Sequence, residues 1–592
     1  MTETNPLNEQ LGTTDITWNL GDLFSGPKDP AIDVDITWCE TEAVSIRRQY
    51  YQKMETLHPV DFLDLVTRIE ALDCKISKLA TYSFLNFTTQ MANAEAGALD
   101  QRIREVDSKC GTETVFFELE WNMLTDEKAD FFLADSLLAK YKHYLLALRK
   151  HRPHQLSEAE EKILLEKEVS GRRSWTTLFN KVLSSYKFGE NQRTEEEVLT
   201  DLYSESRDTR KTAADELTEG LKANSHILTH IFNTLAADKM VTDKLRHHSS
   251  WVSSMNLDNE LQDDTVATLV DAVTSRYDIV QRYYRVKKDI LGVDMLEDFD
   301  RYAPLPSLPS TKIGWDPCKD IVLSSFAAFS PDMAEIAADF FNKNWIHAPI
   351  GQGKRGGAFA HPCVPDVHPY VLVNYTGNLR DVSTVAHELG HGIHQVLASA
   401  KGHFNSNTPL PLAETASVFA ELLVFNSQLN LLQNKDERRA FICQKLESIF
   451  ATVFRQTAMN RFEELMHNGR RTQGELSCDQ LSEYWLSTQR AMFGDSVLLR
   501  EDYGIWWSYI PHFLSTPGYV YSYAFGELLV LALYGIYKKE GEAFVKKYLD
   551  LLAAGGSLSP YTLMQPFGID LDQSEFWQGG LDVIEQLLIE VE

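Results

Sequence analysis

The stretch TVAHELGHGIHQVLA, Thr384 to Ala398, holds three histidines and a glutamate within eight residues. His387 and His391 are four apart. On an α-helix that spacing turns about 400° and rises about 6 Å, so both rings leave the same face. Two imidazole nitrogens so placed can reach one zinc ion at about 2.0–2.1 Å. Glu388 lies to the side of the pair, where it can take a proton from water instead of ligating the metal, so the pattern reads as a ligand pair plus a general base. His394 falls about 10 Å along the axis from His387, too far to share one metal, and is read as a packing residue. Leu389, Ile393, Val396 and Leu397 already supply an apolar stripe, so the histidines are not needed for burial. Gly390 inside the helix costs about 1 kcal/mol in propensity, which predicts a close backbone approach by a neighbour.

A catalytic zinc takes three protein ligands and keeps a position open. Downstream, PLAETASVFAELLVF offers Glu414 and, two turns on, Glu421. Glu414 leaves room for a loop and an antiparallel return. Glu421 reads better as a solvated carboxylate or one outside the ligand set.

These residues need elements to hold them. Asn378 is placed to cap the motif helix. Before it, HPYVLVNYTG (368–377) is β-branched and aromatic with Gly377 at its end, the clearest strand signal in the chain. Helical periodicity dominates elsewhere. Ile69, Leu72, Ile76, Leu79 and Tyr82 fall at three- and four-residue steps. Ser157 and Glu160 have capping-box spacing after a break at Pro153. The chain is expected to be mostly α, with a small β-sheet beside the motif helix. A boundary is expected in the polar segment 187–198, giving an N-terminal helical domain over 1–190 and a catalytic domain over 191–592. The loop-rich zone 301–317 is read as an insertion in the second domain.

The 592 residues carry 57 Lys and Arg against 85 Asp and Glu, a formal net charge of -28. Nucleic-acid affinity rests on Lys and Arg neutralising phosphates, so such partners are not expected. The longest apolar run, 528–537, is too short to span a bilayer. No basic segment followed by an apolar run opens the sequence, so no signal peptide is expected. Seven scattered cysteines with no CxxC pair read as reduced thiols in a cytoplasm, with Cys363 a small buried hydrophobe.

The segments ITWNLGDLF, YAPLP, GKRGGAFA, HPYVLVNYTGNLRDVSTVAHELGHGIHQ, LAETAS and IPHFLSTPGYVYSYAFG together resemble oligoendopeptidase F of the thimet oligopeptidase-type zinc peptidases. The resemblance covers most of the chain. It implies a mostly helical, two-part fold with a deep channel, one zinc per chain, and cleavage of short unstructured oligopeptides. It matches His387, His391 and Glu414 to the zinc ligands, Glu388 to the general base and His512 to the family's C-terminal histidine. Gly518 stands where relatives often have a bulky aromatic, which implies a more mobile loop beside His512.

Attack on a peptide bond makes an oxyanion that needs donors beyond a metal. His512 with Tyr519 and Tyr523, which are four apart on one helix face, could supply them, while Tyr521 points elsewhere. HPYVLVNYTG, with Asn374 and Tyr375 near its end, is expected to be an edge strand on which an extended peptide pairs by its backbone. Gly356 and Gly357 would let GKRGGAFA approach a ligand closely or hinge. Two other readings share these residues. An exopeptidase would need a cationic clamp for the substrate carboxylate, for which Arg355 and Arg380 are candidates. A peptide-binding protein with a structural metal would have no use for Glu388.

Overall fold

The computed structural model describes residues 5–306 and 312–592; residues 307–311, inside the loop-rich zone read as an insertion, lie outside the described residues. The periodic stripe at Ile69–Tyr82 forms one face of the helix Pro59–Thr88 and is buried along its length. That helix packs with Pro30–Tyr50 and Ala94–Thr114. Each begins with a device that satisfies the free N–H groups of a first turn: proline at the start of the first two, and the Asn93 side chain accepting from Glu95 N and Ala96 N in the third.

The chain divides into two compact units. The first comprises Met1–Gln155, Ser310–Leu431 and Ile536–Gly568. Its sheet has three strands, β1 (Ile346–His347), β2 (Phe359–His361) and β3 (Tyr370–Leu372), in the order β1-β3-β2. β1 runs parallel to β3, with Ile346 opposite Val371. β2 runs antiparallel, with Ala360 opposite Val371. The N-terminal residues are fastened to this sheet. Ala348 N donates to Ile16 O at 2.9 Å, and Trp18 meets the rings of His347 and Tyr370 at 5.4 and 6.0 Å. Tyr370 is buried in the same apolar core as Phe62, Leu72 and Tyr82.

The second unit comprises Leu156–Pro309, Leu432–Gly535 and Ile569–Glu592. Its core gathers Leu217, Ile231, Phe462, Trp506, Trp507 and Phe513. The expected capping box at Ser157 is present, with Ser157 N donating to Glu160 Oε2 at 2.9 Å.

Two expectations are corrected here. Neither compact unit ends near residue 190. The first 155 residues share a core with the sheet region, and the polar segment 187–198 folds inside the second unit, where Phe188 pairs with Arg193 and Arg193 binds Glu216 and Asp201. The zone 301–317 is where the chain passes from the second unit into the first. HPYVLVNYTG, for its part, does not supply an edge strand. β3 is central, paired on both sides, with Tyr370, Val371 and Leu372 fully buried. A continuous apolar run with no alternation belongs to a strand covered on both faces.

Candidate metal centre and active site

The motif helix is Leu379–Ala398. Asn378 caps it as expected, accepting from Asp381 N at 2.9 Å, while Asp381 reaches back to Asn378 N and also takes the Thr376 N–H and hydroxyl at 2.7 Å each. This double anchor fixes the angle at which the helix leaves the sheet. The return helix, Leu410–Leu431, packs closely along it. Gly390 is the contact point. A Cβ there would lie 2.5 Å from Ala416 O and 2.6 Å from Ser417 Cα. Gly392 similarly abuts the Phe340 ring, 2.5 Å from where a Cβ would sit. Gly390 is what lets the two backbones approach, and Gly392 makes room for the ring.

That approach brings Glu414 to the histidines. Glu414 Oε2 lies 3.4 Å from His387 Nε2 and 3.6 Å from His391 Nε2, and one ligand atom from each residue falls within 4.8 Å of the others. Two ligands of a tetrahedral zinc, each about 2.1 Å from the ion, sit roughly 3.4 Å apart. The donor set and its spacing therefore fit a zinc-type metal. Ser417 Oγ donates to Glu414 Oε2 at 2.7 Å and orients the carboxylate. Glu421 Oε2 stands 3.5 Å from His387 Nδ1, behind the ring. It is outside the ligand set and holds the imidazole so that Nε2 faces forward.

The titration behaviour follows from this crowding. Burial works against a charged His387, but Glu421, Glu414 and Glu388 outweigh it and raise its pKa to about 9. Burial lowers His391 to about 4, against the pull of Glu414. Glu414 is held below its ordinary value although burial opposes this, because His391 and His387 favour its charge. Burial raises Glu388 to about 7; the charge on His387 and a hydrogen bond to the Ala360 backbone pull the other way. A carboxylate poised near neutrality is suited to accept and return a proton. The Ala360 contact also shows that β2, the strand at the sheet's edge, borders Glu388. His394 is buried, with Nε2 3.3 Å from Thr408 Oγ1, and is not a ligand.

The loop before β2 is fastened rather than loose. Asn374 Nδ2 donates to Arg355 O and Gly357 O at 3.0 and 2.7 Å, and Lys354 Nζ donates to Pro349 O and Val373 O at 2.7 and 2.6 Å. Gly357 has φ 77°, the left-handed region that glycine tolerates; open space surrounds both it and Gly356. Tyr375 is fully buried and spends its hydroxyl on Ile313 O at 2.9 Å, so it has no surface to offer a ligand. Of the two arginines suggested as a clamp, Arg355 lies over the Phe84 and Phe359 rings and Arg380 is exposed.

His512, Tyr519 and Tyr523 belong to the second unit, where they cluster. The Tyr523 ring lies 6.2 Å from that of His512 and 5.0 Å from that of Tyr519. Tyr521 is buried, its oxygen bonded to Asn259 Nδ2 at 2.8 Å. Gly518 has φ 82° and is buried, and its N–H donates to the buried Glu463 carboxylate at 2.9 Å. The loop beside His512 is thus pinned at Gly518, where a mobile segment was expected. The sequence reading passed over Glu463, because an interior helix carboxylate carries no local mark of its partner.

Residues 328–583 match Peptidase family M3 and residues 120–188 match the Oligopeptidase F N-terminal family. The chain belongs to peptidase family M3. This M3 chain is 27% identical to oligopeptidase PepF of Bacillus subtilis over 595 aligned positions, covering 97% of this chain and 88% of that one. It is 23% identical to an oligoendopeptidase F homolog of Borreliella burgdorferi, covering 97% of each. A Chlamydophila abortus protein of known structure superposes with a TM-score of 0.87 at 24% identity, over 100% of this chain and 98% of the other. Oligoendopeptidase-F from Enterococcus faecium does so with 0.72 at 21%, over 94% and 98%. The mostly helical fold with one small sheet is that of these structures. This M3 peptidase is a metalloendopeptidase that hydrolyses peptides.

Proposed function

We propose that the chain is a zinc-dependent endopeptidase acting on internal bonds of short, unstructured oligopeptides in the cytoplasm, with one zinc per chain. The observation that carries this reading is the convergence of His387 Nε2, His391 Nε2 and Glu414 Oε2 beside a Glu388 that is not among them. The relatives named oligopeptidase and oligoendopeptidase support the size of substrate. The absence of any helix long and apolar enough to cross a membrane among the described residues is compatible with a cytoplasmic site.

A zinc ion held by these three residues would polarise the scissile carbonyl and make a bound water acidic. Glu388 is the residue that would hold the proton given up by the attacking water and pass it to the leaving amine. Its burial, which keeps it near neutral affinity for a proton, serves both halves of the transfer. Glu421 keeps His387 oriented. The backbone of β2, at the sheet edge beside Glu388, takes the substrate chain in extended form, which makes recognition tolerant of side chains. His512, Tyr519 and Tyr523 are assigned to donating hydrogen bonds to the developing oxyanion. Asn374, Gly356 and Gly357 shape the loop before β2, with no direct substrate contact required of them.

The test is an internally quenched peptide of about ten residues with both ends blocked, offered beside its free-ended twin; this length suits the extended pairing argued above. Cleavage of the blocked peptide at an internal bond is expected. Cleavage of the free-ended peptide alone would favour an exopeptidase, and binding of both without cleavage would favour a peptide-binding protein.

A further inference from the structure

The helix Phe454–Gln473 of the second unit carries Glu463 and His467 one turn apart, both buried. Glu463 Oε1 accepts the Gly518 N–H at 2.9 Å, while Oε2 meets no donor. Among the described residues no cation bonds this carboxyl. Lys239, whose charge reaches it, spends Nζ on Asp243 Oδ1 and Ser254 Oγ at 3.0 and 3.1 Å. Neither ring nitrogen of His467 has a hydrogen-bond partner, and the ring stacks on Trp251 with centroids 5.2 Å apart. Gly518 rests on that same Trp251. A Cβ at Gly518 would lie 3.5 Å from the indole and 3.3 Å from Val252 Cγ2. Two side chains of one helix therefore make a seat for Gly518, one through a hydrogen bond and the other through the indole it supports.

The seat is costly. A buried carboxyl with a single neutral donor is held against its desolvation penalty, and burial raises this one to a pKa of about 8. The bond bought at that cost falls on the residue before Tyr519. Gly518 has φ 82°, in the left-handed region that glycine tolerates, so where its N–H points sets the direction in which the chain enters Tyr519. The Tyr519 ring lies 5.0 Å from that of Tyr523, which lies 6.2 Å from that of His512. The ends of this segment are held separately. Arg172 donates to Leu514 O and Ser515 O at 3.3 and 3.0 Å, and Asn259 Nδ2 donates to the Tyr521 oxygen at 2.8 Å. Glu463 acts between those anchors.

We propose that Glu463 is a positioning residue for catalysis, which by accepting the Gly518 N–H holds the Tyr519 phenol where it donates to the oxyanion. The proposal rests on the role given to Tyr519 in the function proposed above. A donor to a developing charge works only when held within about 0.5 Å of its productive place, and the groups behind it supply that hold.

The test is a double-mutant cycle between Glu463 and Tyr519 on the metal-loaded protein, with a quenched peptide as substrate and each variant assayed well below its melting temperature. Glu463→Met, which keeps length and loses the acceptor, is expected to lower kcat by about 10–100-fold, the scale of a small misplacement. KM and metal content are expected to stay near the wild-type values. Glu463→Gln, whose amide oxygen can accept the same N–H, is expected to recover most of that loss. In a Tyr519→Phe background Glu463→Met is expected to cost less than about threefold, because residues that act as a unit are not additive. Should Glu463→Met not fold, Glu463→Asp, which withdraws the carboxyl by one methylene, must show the same loss and the same dependence on Tyr519. A kcat unchanged in the Glu463 variants while Tyr519→Phe is impaired, or an equal loss in both backgrounds, overturns the proposal. Tyr519→Phe with wild-type kcat would strike the role given to that phenol, and the proposal with it. A wild type that cleaves no peptide would strike the peptidase reading.

Discussion

Glu421 Oε2 lies 3.5 Å from His387 Nδ1, on the side of the ring away from Glu414. The two glutamates of the return helix therefore do different work on one imidazole. Glu414→Ala removes a donor from the site, and metal content of the purified protein is expected to fall outright. Glu421→Ala leaves three donors but frees the ring, and a 10–100-fold loss of metal affinity is expected. Competition with a graded chelator measures both. Equal losses would mean that Glu421 is itself a ligand.

Glu388→Gln keeps shape and loses the proton acceptor. Metal content is expected to stay at the wild-type level while kcat falls by about 10²–10⁴-fold, the worth of a general base. Single-turnover rates on a quenched peptide with metal analysis of the same sample check it. Near-normal turnover would remove Glu388 from the proton path.

Gly390→Ala tests the packing that assembles the site. Helix propensity alone would favour alanine by about 1 kcal/mol. The new Cβ, however, meets backbone atoms of the return helix at 2.5 and 2.6 Å, and overpacking of that kind costs about 1–3 kcal/mol. A net loss of melting temperature with weakened metal binding is expected. Gly392→Ala meets the far end of a phenylalanine ring, which can turn aside, so a smaller loss is expected. Thermal unfolding with and without chelator distinguishes the two.

Glu463 gives a pH dependence of stability. Burial raises its pKa to about 8 from an ordinary 4.5, against the Gly518 N–H. Between those values the folded state holds a proton that the unfolded state has released, so stability falls as pH rises, by at most about 1.4 kcal/mol per unit. The stabilising proton is fully in place below the unfolded value and its benefit is gone above the folded one. Wild type is expected to melt lower at pH 8 than at pH 6, and Glu463→Gln to show a smaller difference. Identical pH profiles for the two proteins would remove Glu463 as the source.

Local chemistry made much of this visible in advance. Two histidines four apart, Asn378 as a cap, the Ser157–Glu160 pair and the reason for Gly390 all follow from rules that act within a turn or two of helix. The misreadings share a cause of the opposite kind. Whether β3 is central depends on Ile346 and Phe359, residues distant in the chain, although the unbroken apolar run Tyr370–Val373 was a signal of burial on both faces. The boundary near 190 failed because polar, glutamate-rich composition marks exposure and not the end of a core.

The interleaving of the two units bears on how the protein is made. The chain changes unit at 155/156, 309/310, 431/432, 535/536 and 568/569. Tyr548, whose hydroxyl bonds Thr415 O at 2.9 Å, completes the core behind the metal ligands, and Arg282 waits for Glu592. A nascent chain leaving the ribosome thus carries the whole HELGH segment long before either core can close. From their own synthesis until Tyr548 is made, the two histidines lack the packing that sets the Glu414 helix in place. Activity inside the cell is therefore withheld until the segments 536–568 and 569–592, which complete the two units, have been made.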